Sequence, residues 1–265
     1  MSALYVPTRR IIYITLGKIS RMLHLKEQQV FILCYHSISN DGWDFSVNKR
    51  EFEKQIKYLS TRYQFVSLRD IVQYLSGKKT LSSPSVAITF DDGYKDILSI
   101  VPLLKSLGVR PTVFVISNQG NENKMELGTD RKFLNAKDIN RLIENAWEVG
   151  SHTRTHPDLN LLTEDQLNEE ITRSKGEIEM KVQEKVYSLA FPKGRYSRTA
   201  LLSAKKAGYK MCLTMNDGII AQNSDPFQMP RIGVDGTHSF EEFKVLASPL
   251  AVLFRKLLKK NYYVK

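Results

Sequence analysis

The sequence predicts a parallel α/β sheet or barrel in a single domain, from the alternation of its elements and a composition that allows a core, while its charge distribution bounds the partners. Short apolar, strand-like runs alternate with amphipathic helical patterns along most of the 265 residues, as expected when helices cover strands on both faces. A hydrophobic content of 42% is enough for a sizeable core in a chain of this length. The net charge of +11 does not sit on that body: residues 1–29 carry five Lys/Arg against one acid, residues 250–265 carry five against none, and the stretch between holds 29 bases against 27 acids. A nucleic-acid binder carries its basic stripe on the folded body, so nucleic acid is excluded as a partner.

The elements follow in order. VFILCY (30–35) predicts a strand, followed by a helix with Phe52, Ile56, Leu59 and Tyr63 at i, i+4, i+7 and i+11. SVAITF (85–90) leads to a helix through Leu98, Val101 and Leu104, closed by Gly108. PTVFVI (111–116) precedes a patternless stretch over 117–134, then a helix from the cap-like Asn135 through Ile139, Leu142, Ile143 and Ala146 to Gly150. Thr163 and Gln166 form a capping box for a long helix through Leu167, Ile171 and Ile178. VYSLAF (186–191), a helix from Ser197 to Gly208 and YKMCLT (209–214) complete the series. Cys34 and Cys212 both lie in apolar runs, which predicts buried thiols and excludes a disulfide-built scaffold or a Cys-rich zinc site.

Three segments result: a basic amphipathic N-terminal segment (1–29), the body (30–247) and a basic amphipathic C-terminal helix (248–265). In the first, Ile12, Leu16, Ile19 and Leu23 fall at helical spacing, with Arg9, Arg10, Lys18 and Arg21 between them. In the last, Leu250, Leu253, Phe254, Leu257 and Leu258 form one face and Arg255, Lys256, Lys259 and Lys260 the other. Such helices either pack on the domain with a solvated basic face or lie in an anionic membrane surface. Neither end reads as a membrane span or an export signal, so the expectation is a cytoplasmic protein with peripheral contact at the inner membrane face.

In parallel α/β folds chemistry gathers at the carboxyl ends of the strands, and each run here stops at polar residues. After SVAITF come Asp91, Asp92, Gly93 and Tyr94. Adjacent carboxylates point to different sides, so beside a divalent cation one ligates while the other acts as a base; the same triplet also makes an ordinary turn. His152 and His156, four residues apart, can present two imidazoles to one ion. Two neutral nitrogens and one carboxylate with open positions describe a catalytic metal site. His36 ends the first strand, Pro192-Lys193-Gly194 follows the run ending at Phe191, and Arg231 lies inside an apolar stretch where it needs a partner such as Asp91.

Taken in order, these pieces resemble the polysaccharide deacetylases (carbohydrate esterase family 4, the NodB-homology domain): TFDDGY (89–94), SHTRTHPDL (151–159) and FPKGRY (191–196) are similar to that family's three motifs. LCYHSI (33–38) and MPRIGV (229–234) resemble the branch that deacetylates poly-N-acetylglucosamine, and the likeness runs from about 30 to 247. The resemblance implies a distorted (β/α) barrel of seven or eight strands. It implies a metal-dependent hydrolase that removes N-acetyl groups from N-acetylhexosamine units of a glycan or glycan precursor. Asp92, His152 and His156 are then the ligands of a divalent ion, zinc or similar. Asp91 is the general base, paired with Arg231, and His36 the general acid. The amide N–H near Lys193 faces the oxyanion, with Tyr94 on the substrate side. Lys193 stands where the third motif commonly carries an aromatic residue, a departure that suits an anionic group on the substrate. His238 remains an alternative acid. Two other readings stay open: hydrolysis of another amide on the same metal site, and an inactive glycan-binding or membrane-surface scaffold.

Overall fold

The structure, a computed structural model, describes residues 5–25, 30–82, 84–120, 127 and 130–259. Eight strands make one sheet: β1 (Val30–Tyr35), β2 (Gln64–Phe65), β3 (Ser85–Phe90), β4 (Thr112–Val115), β5 (Glu148–Ser151), β6 (Ser188–Ala190), β7 (Met211–Leu213) and β8 (Ile232–Gly233). Their order is β7-β6-β5-β4-β3-β1-β8, with β2 paired to β3 off that path, and every pairing is parallel. The edges meet irregularly: the Met229 amide donates to the Cys212 carbonyl beside β7, and β8, three residues further on, pairs with β1. The result is the distorted (β/α) barrel expected from the motifs. All six residues of β1 and of β3 are buried, because helices cover the outer face and side chains fill the interior.

Two expected helices are shorter than their periodicity suggested. Asn135 forms a capping box with Asp138, but the helix is Ala136–Glu144. Ala146 then turns left-handed (φ 63°), and Glu148–Ser151, read from sequence as the helix end, is β5. The second, expected through Leu98 to Gly108, opens as a 3₁₀ turn (Lys95–Ile100) before the α-helix Val101–Ser106. The capping box of Thr163 and Gln166 forms as expected, and the helix it starts (Glu164–Leu167) passes through a π-helical turn, Asn168–Arg173, into Ser174–Val182. Helix Leu68–Leu75 was missed; its signal was the Ser67/Asp70 capping box. The patternless stretch 117–134 falls partly on residues 121–126, 128 and 129, outside the described residues.

Both thiols are buried, as predicted. The terminal helices, Tyr5–Met22 and Pro249–Lys259, pack on each other, with the rings of Tyr13 and Phe254 edge to face at 6.3 Å. Their inward faces are not those expected. The N-terminal helix buries Arg9, Tyr13, Gly17 and Ser20 rather than the Ile12/Leu16/Ile19/Leu23 stripe. Gly17 permits this close approach, since a Cβ there would lie 2.3 Å from Val245 Cγ1. Arg9 donates through Nε to the buried Glu242 at 3.0 Å. In the C-terminal helix, Arg255, expected on the solvated face, is buried and pairs with Asp217 at 2.6 Å. Leu253, Leu257 and Leu258, on the apolar face read from sequence, are exposed, as are Ile11, Met22, Leu23 and Leu25. None of the described helices is long and apolar enough to cross a membrane.

β5 sits where it does because Gly150 has no side chain: a Cβ there would fall 2.3 Å from Phe114 Cε1 and 2.8 Å from Ser188 Oγ. Gly150→Ala is therefore expected to destabilise the fold by about 1–3 kcal/mol through overpacking, read as a lower urea midpoint.

Candidate active site and metal centre

The parallel register brings the chemistry to one end of the barrel. Tyr35 pairs with Phe90, and the Asp91 amide donates to the Tyr35 carbonyl at 2.9 Å, so His36 and Asp91 leave neighbouring strands side by side. One polar atom each of Cys34, His36 and Asp91 lie within 4.8 Å of one another. Val115 pairs with Ser151, and the His152 amide donates to the Val115 carbonyl at 2.8 Å, which sets the histidine loop beside β4. Asp91, Asp92, His152, His156, His36, Tyr94 and Lys193 all line one cavity of ≈ 410 Å³, together with Trp43, Phe45, Leu127 and Met215.

Asp92, His152 and His156 are buried, and one ligand atom from each lies within 4.8 Å of the others. Asp92 Oδ1 is 3.3 Å from His152 Nε2 and 3.5 Å from His156 Nε2. His152 Nδ1 lies 2.8 Å from the Ala190 carbonyl, a contact in which Nδ1–H donates and which orients the ring so that Nε2 faces Asp92. Burial and neighbouring His152 push the His156 imidazole down to about 4, so it is neutral at pH 7, as a ligand must be. Burial opposes ionisation of Asp92, but hydrogen bonding to His152 and the surrounding imidazoles hold its carboxyl below the usual range. The three residues thus fit a single divalent cation in donor type and spacing. The backbone is bent to achieve this: Asp92, Thr153 and His156 have φ near +65°, at 66°, 66° and 65°.

Arg231 finds the partner its sequence context demanded. Its Nη1 and Nη2 donate to Asp91 Oδ1 and Oδ2 at 2.6 and 2.7 Å, a two-pronged contact with no solvent exposure on the arginine. Nε donates to the Thr214 carbonyl at 3.1 Å. Burial alone would raise the Asp91 carboxyl; Arg231, followed by His152, overrides it and holds the group well below the ordinary range. The Cys34 thiol lies 3.4 Å from Asp91 Oδ2.

The remaining residues divide between the cavity and its surroundings. Lys193 is an exposed cavity residue held left-handed (φ 56°) in the turn Pro192–Gly194. Tyr94 is buried, stacked on Phe133 at 5.5 Å, and burial together with nearby Asp92 pushes its hydroxyl well up, so the phenol stays protonated. His238 is not in this cavity; its Nδ1 is 2.9 Å from Asp235 Oδ1 in a separate polar pocket. Sequence reasoning missed Trp43 and Phe45, whose rings stand 5.2 Å apart, with Phe45 5.1 Å from the His36 ring. The available signal was a pair of aromatics in the polar loop D41-G-W-D-F45, where no core requires them.

Comparison with known proteins identifies the family. The family model for polysaccharide deacetylases matches residues 78–212. YxkH of Bacillus subtilis (strain 168), which carries the polysaccharide deacetylase name, is 30% identical over 79% of this chain and 72% of its own length. The poly-beta-1,6-N-acetyl-D-glucosamine N-deacetylase of Staphylococcus aureus (strain MRSA252) is 24% identical over 80% of this chain and 81% of its own. Among solved structures, the Streptococcus pyogenes deacetylase PplD in complex with acetate superposes with a TM-score of 0.72 at 25% identity, covering 84% of this chain and all of that one. The Ammonifex degensii IcaB shares the fold with a TM-score of 0.72 at 21% identity, over 85% of this chain and 98% of that one. The fold and site define a hydrolase of the deacetylase type with an Asp/His metal-binding site. The chain belongs to the polysaccharide deacetylase family.

Arg231→Met would strand a buried carboxylate and is expected to cost about 3–5 kcal/mol in urea unfolding. In an Asp91→Asn background the same change should cost markedly less, since no buried charge is orphaned, and the double-mutant cycle reads the difference.

Proposed function

We propose that this protein removes the acetyl group from N-acetylhexosamine units of a glycan or glycan precursor. The observation that carries the reading is a buried carboxylate (Asp91) paired with Arg231 on the same cavity as a cluster of one carboxylate and two imidazoles (Asp92, His152, His156), with a further histidine, His36, beside it. Asp92, His152 and His156 would hold a divalent ion, for which zinc suits the two-nitrogen, one-oxygen donor set. When bound, such an ion polarises the acetyl carbonyl and acidifies water near neutral pH.

The chain's own groups supply the rest. Asp91 accepts the proton of the attacking water, and Arg231 keeps that carboxylate ionised and aimed. Water oxygen bonds to the acetyl carbon, the C–N bond breaks, and His36 passes a proton to the departing nitrogen, giving acetate and a free amine. The backbone N–H near Lys193 faces the carbonyl oxygen as it becomes negative, a contact typically worth about 3 kcal/mol. Trp43, Phe45 and Tyr94 offer apolar walls for the sugar face, and the Lys193 ammonium suits an anionic group on the substrate. The expectation of His36 as the acid is favoured over His238 because only His36 lines the cavity.

Acetate release from N-acetylglucosamine oligomers, with chelator and with metal restored, tests this reading. Asp91→Asn and His36→Ala should each lower kcat/KM at least about 10²-fold, with metal content unchanged, whereas His238→Ala should leave turnover near wild type. Metal-independent turnover, or full activity in Asp91→Asn, would remove the mechanism.

We also propose that the paired terminal helices rest on an anionic membrane surface. Support comes from seven exposed apolar side chains, among them Ile11 at 68% and Leu257 at 61% exposure, interspersed with exposed Arg10, Lys18, Arg21 and Lys256. Neither helix contains an acidic residue. Apolar side chains flanked by cations match a leaflet of anionic lipid. Vesicles rich in phosphatidylglycerol should float the protein, purely phosphatidylcholine vesicles should not, and Leu253→Glu with Leu257→Glu should abolish flotation while the melting temperature holds. Flotation unchanged by that pair of substitutions would reject the surface.

A further inference from the structure

The metal-binding loop is shaped by a carboxylate that the motifs do not include. His152 and His156 bracket Thr153, Arg154 and Thr155, and this segment makes no regular helix or strand. Glu170, from the helix behind the loop, is 8% exposed and points both carboxylate oxygens at these residues. Its Oε2 accepts the backbone N–H of Arg154 at 2.9 Å and of Thr155 at 2.8 Å, and its Oε1 accepts the Thr155 hydroxyl at 2.7 Å. Successive N–H groups converging on one carboxylate fix the direction of two consecutive peptide planes. The left-handed turns at Thr153 and His156 lie on either side of those planes, so they set where the two imidazoles emerge.

The supporting helix is itself modified for this contact. Glu170 lies within the π-helical turn Asn168–Arg173, the one such turn among the described residues. Beyond it, Ser174 Oγ is 2.9 Å from Ser151 Oγ, and Glu177 Oε1 accepts from Arg154 Nε at 3.2 Å. Ser151 Oγ in turn accepts the Thr153 amide at 3.1 Å. A single extra residue in the helix therefore lets Glu170, Ser174 and Glu177 face the loop while Leu167, Ile171 and Ile178 remain in the core.

We propose that Glu170 is a positioning residue for the metal centre, holding the His152–His156 loop in its ligating shape. The proposal rests on the metal reading above, but concerns metal affinity rather than turnover. It predicts that the loop loses its ligating geometry without Glu170 even though both histidines and Asp92 are intact.

The test measures zinc affinity of the full-length chain by competition with a chromophoric chelator, with no substrate present, alongside the melting temperature of each metal-free form. Wild type should take up one zinc per chain; failure to do so would sink the metal centre itself, and Glu170's role with it, before any variant is compared. Glu170→Ala should bind zinc about 10- to 100-fold more weakly. Glu170→Gln should recover affinity to within a few-fold, because its amide oxygen accepts both backbone N–H groups and its amide nitrogen donates to Thr155 Oγ1. Thr155→Val removes one of the three bonds and should fall between. Wild-type zinc affinity in Glu170→Ala, whatever its melting temperature, would overturn the proposal, as would a Glu170→Gln variant that folds yet binds no better than the alanine variant. If Glu170→Ala does not fold, the glutamine and valine variants carry the same test.

Discussion

The contact between Arg231 and Asp91 governs the rest of the molecule's chemical end. Either group alone in that interior would be strongly disfavoured, since an unpaired charge away from water costs several kcal/mol. Together they form a neutral, two-pronged unit, with Thr214 accepting a further arginine N–H. The arrangement solves a problem of acid–base design. A carboxylate buried away from water tends to pick up a proton, and the guanidinium, followed by His152, keeps it charged without exposing it to bulk water.

The trio of Asp92, His152 and His156 answers a different problem, that of bringing donor atoms from separate loops to one point. Asp92 follows β3, and the two histidines follow β5; between those strands lies β4, which bonds to both. The parallel register fixes the bases of the loops, and local left-handed turns at Asp92, Thr153 and His156 redirect the side chains inward. Those conformations carry a steric cost for residues with a Cβ, and they persist because hydrogen bonds around them determine the path. His156 illustrates this: its amide is held by Thr153 Oγ1 at 3.1 Å.

How much of this was legible in the sequence depends on whether the signal was local. β1 and β3 are apolar runs buried on both faces, and both were readable. β5 was not, because its four residues include Glu148 and Gly150, and its strand character comes from pairing with β4 rather than from its own composition. The pairing of Asp91 with Arg231 was foreseeable because a lone arginine in an apolar stretch demands a counter-ion. The role of Glu170 was invisible, since a glutamate on an amphipathic helix looks like any solvated residue until the fold turns it inward. The terminal helices show the opposite failure. Their apolar spacing was correctly seen, yet Gly17 and the buried arginines rotate each helix so that a different stripe packs. Periodicity identifies a helix well, but the face it buries is decided by what stands opposite.

The barrel closes through its last strand, and this has a consequence for vectorial synthesis. Arg231 enters the chain 140 residues after Asp91, whereas Asp92, His152 and His156 have all left the ribosome long before it. A nascent chain can therefore hold Asp91, Asp92, His152 and His156 while Arg231 is still to come. Docking of that last strand converts Asp91 from an awkward buried charge into a stable one, so the carboxylate gains its counter-ion only when the sheet receives its final member.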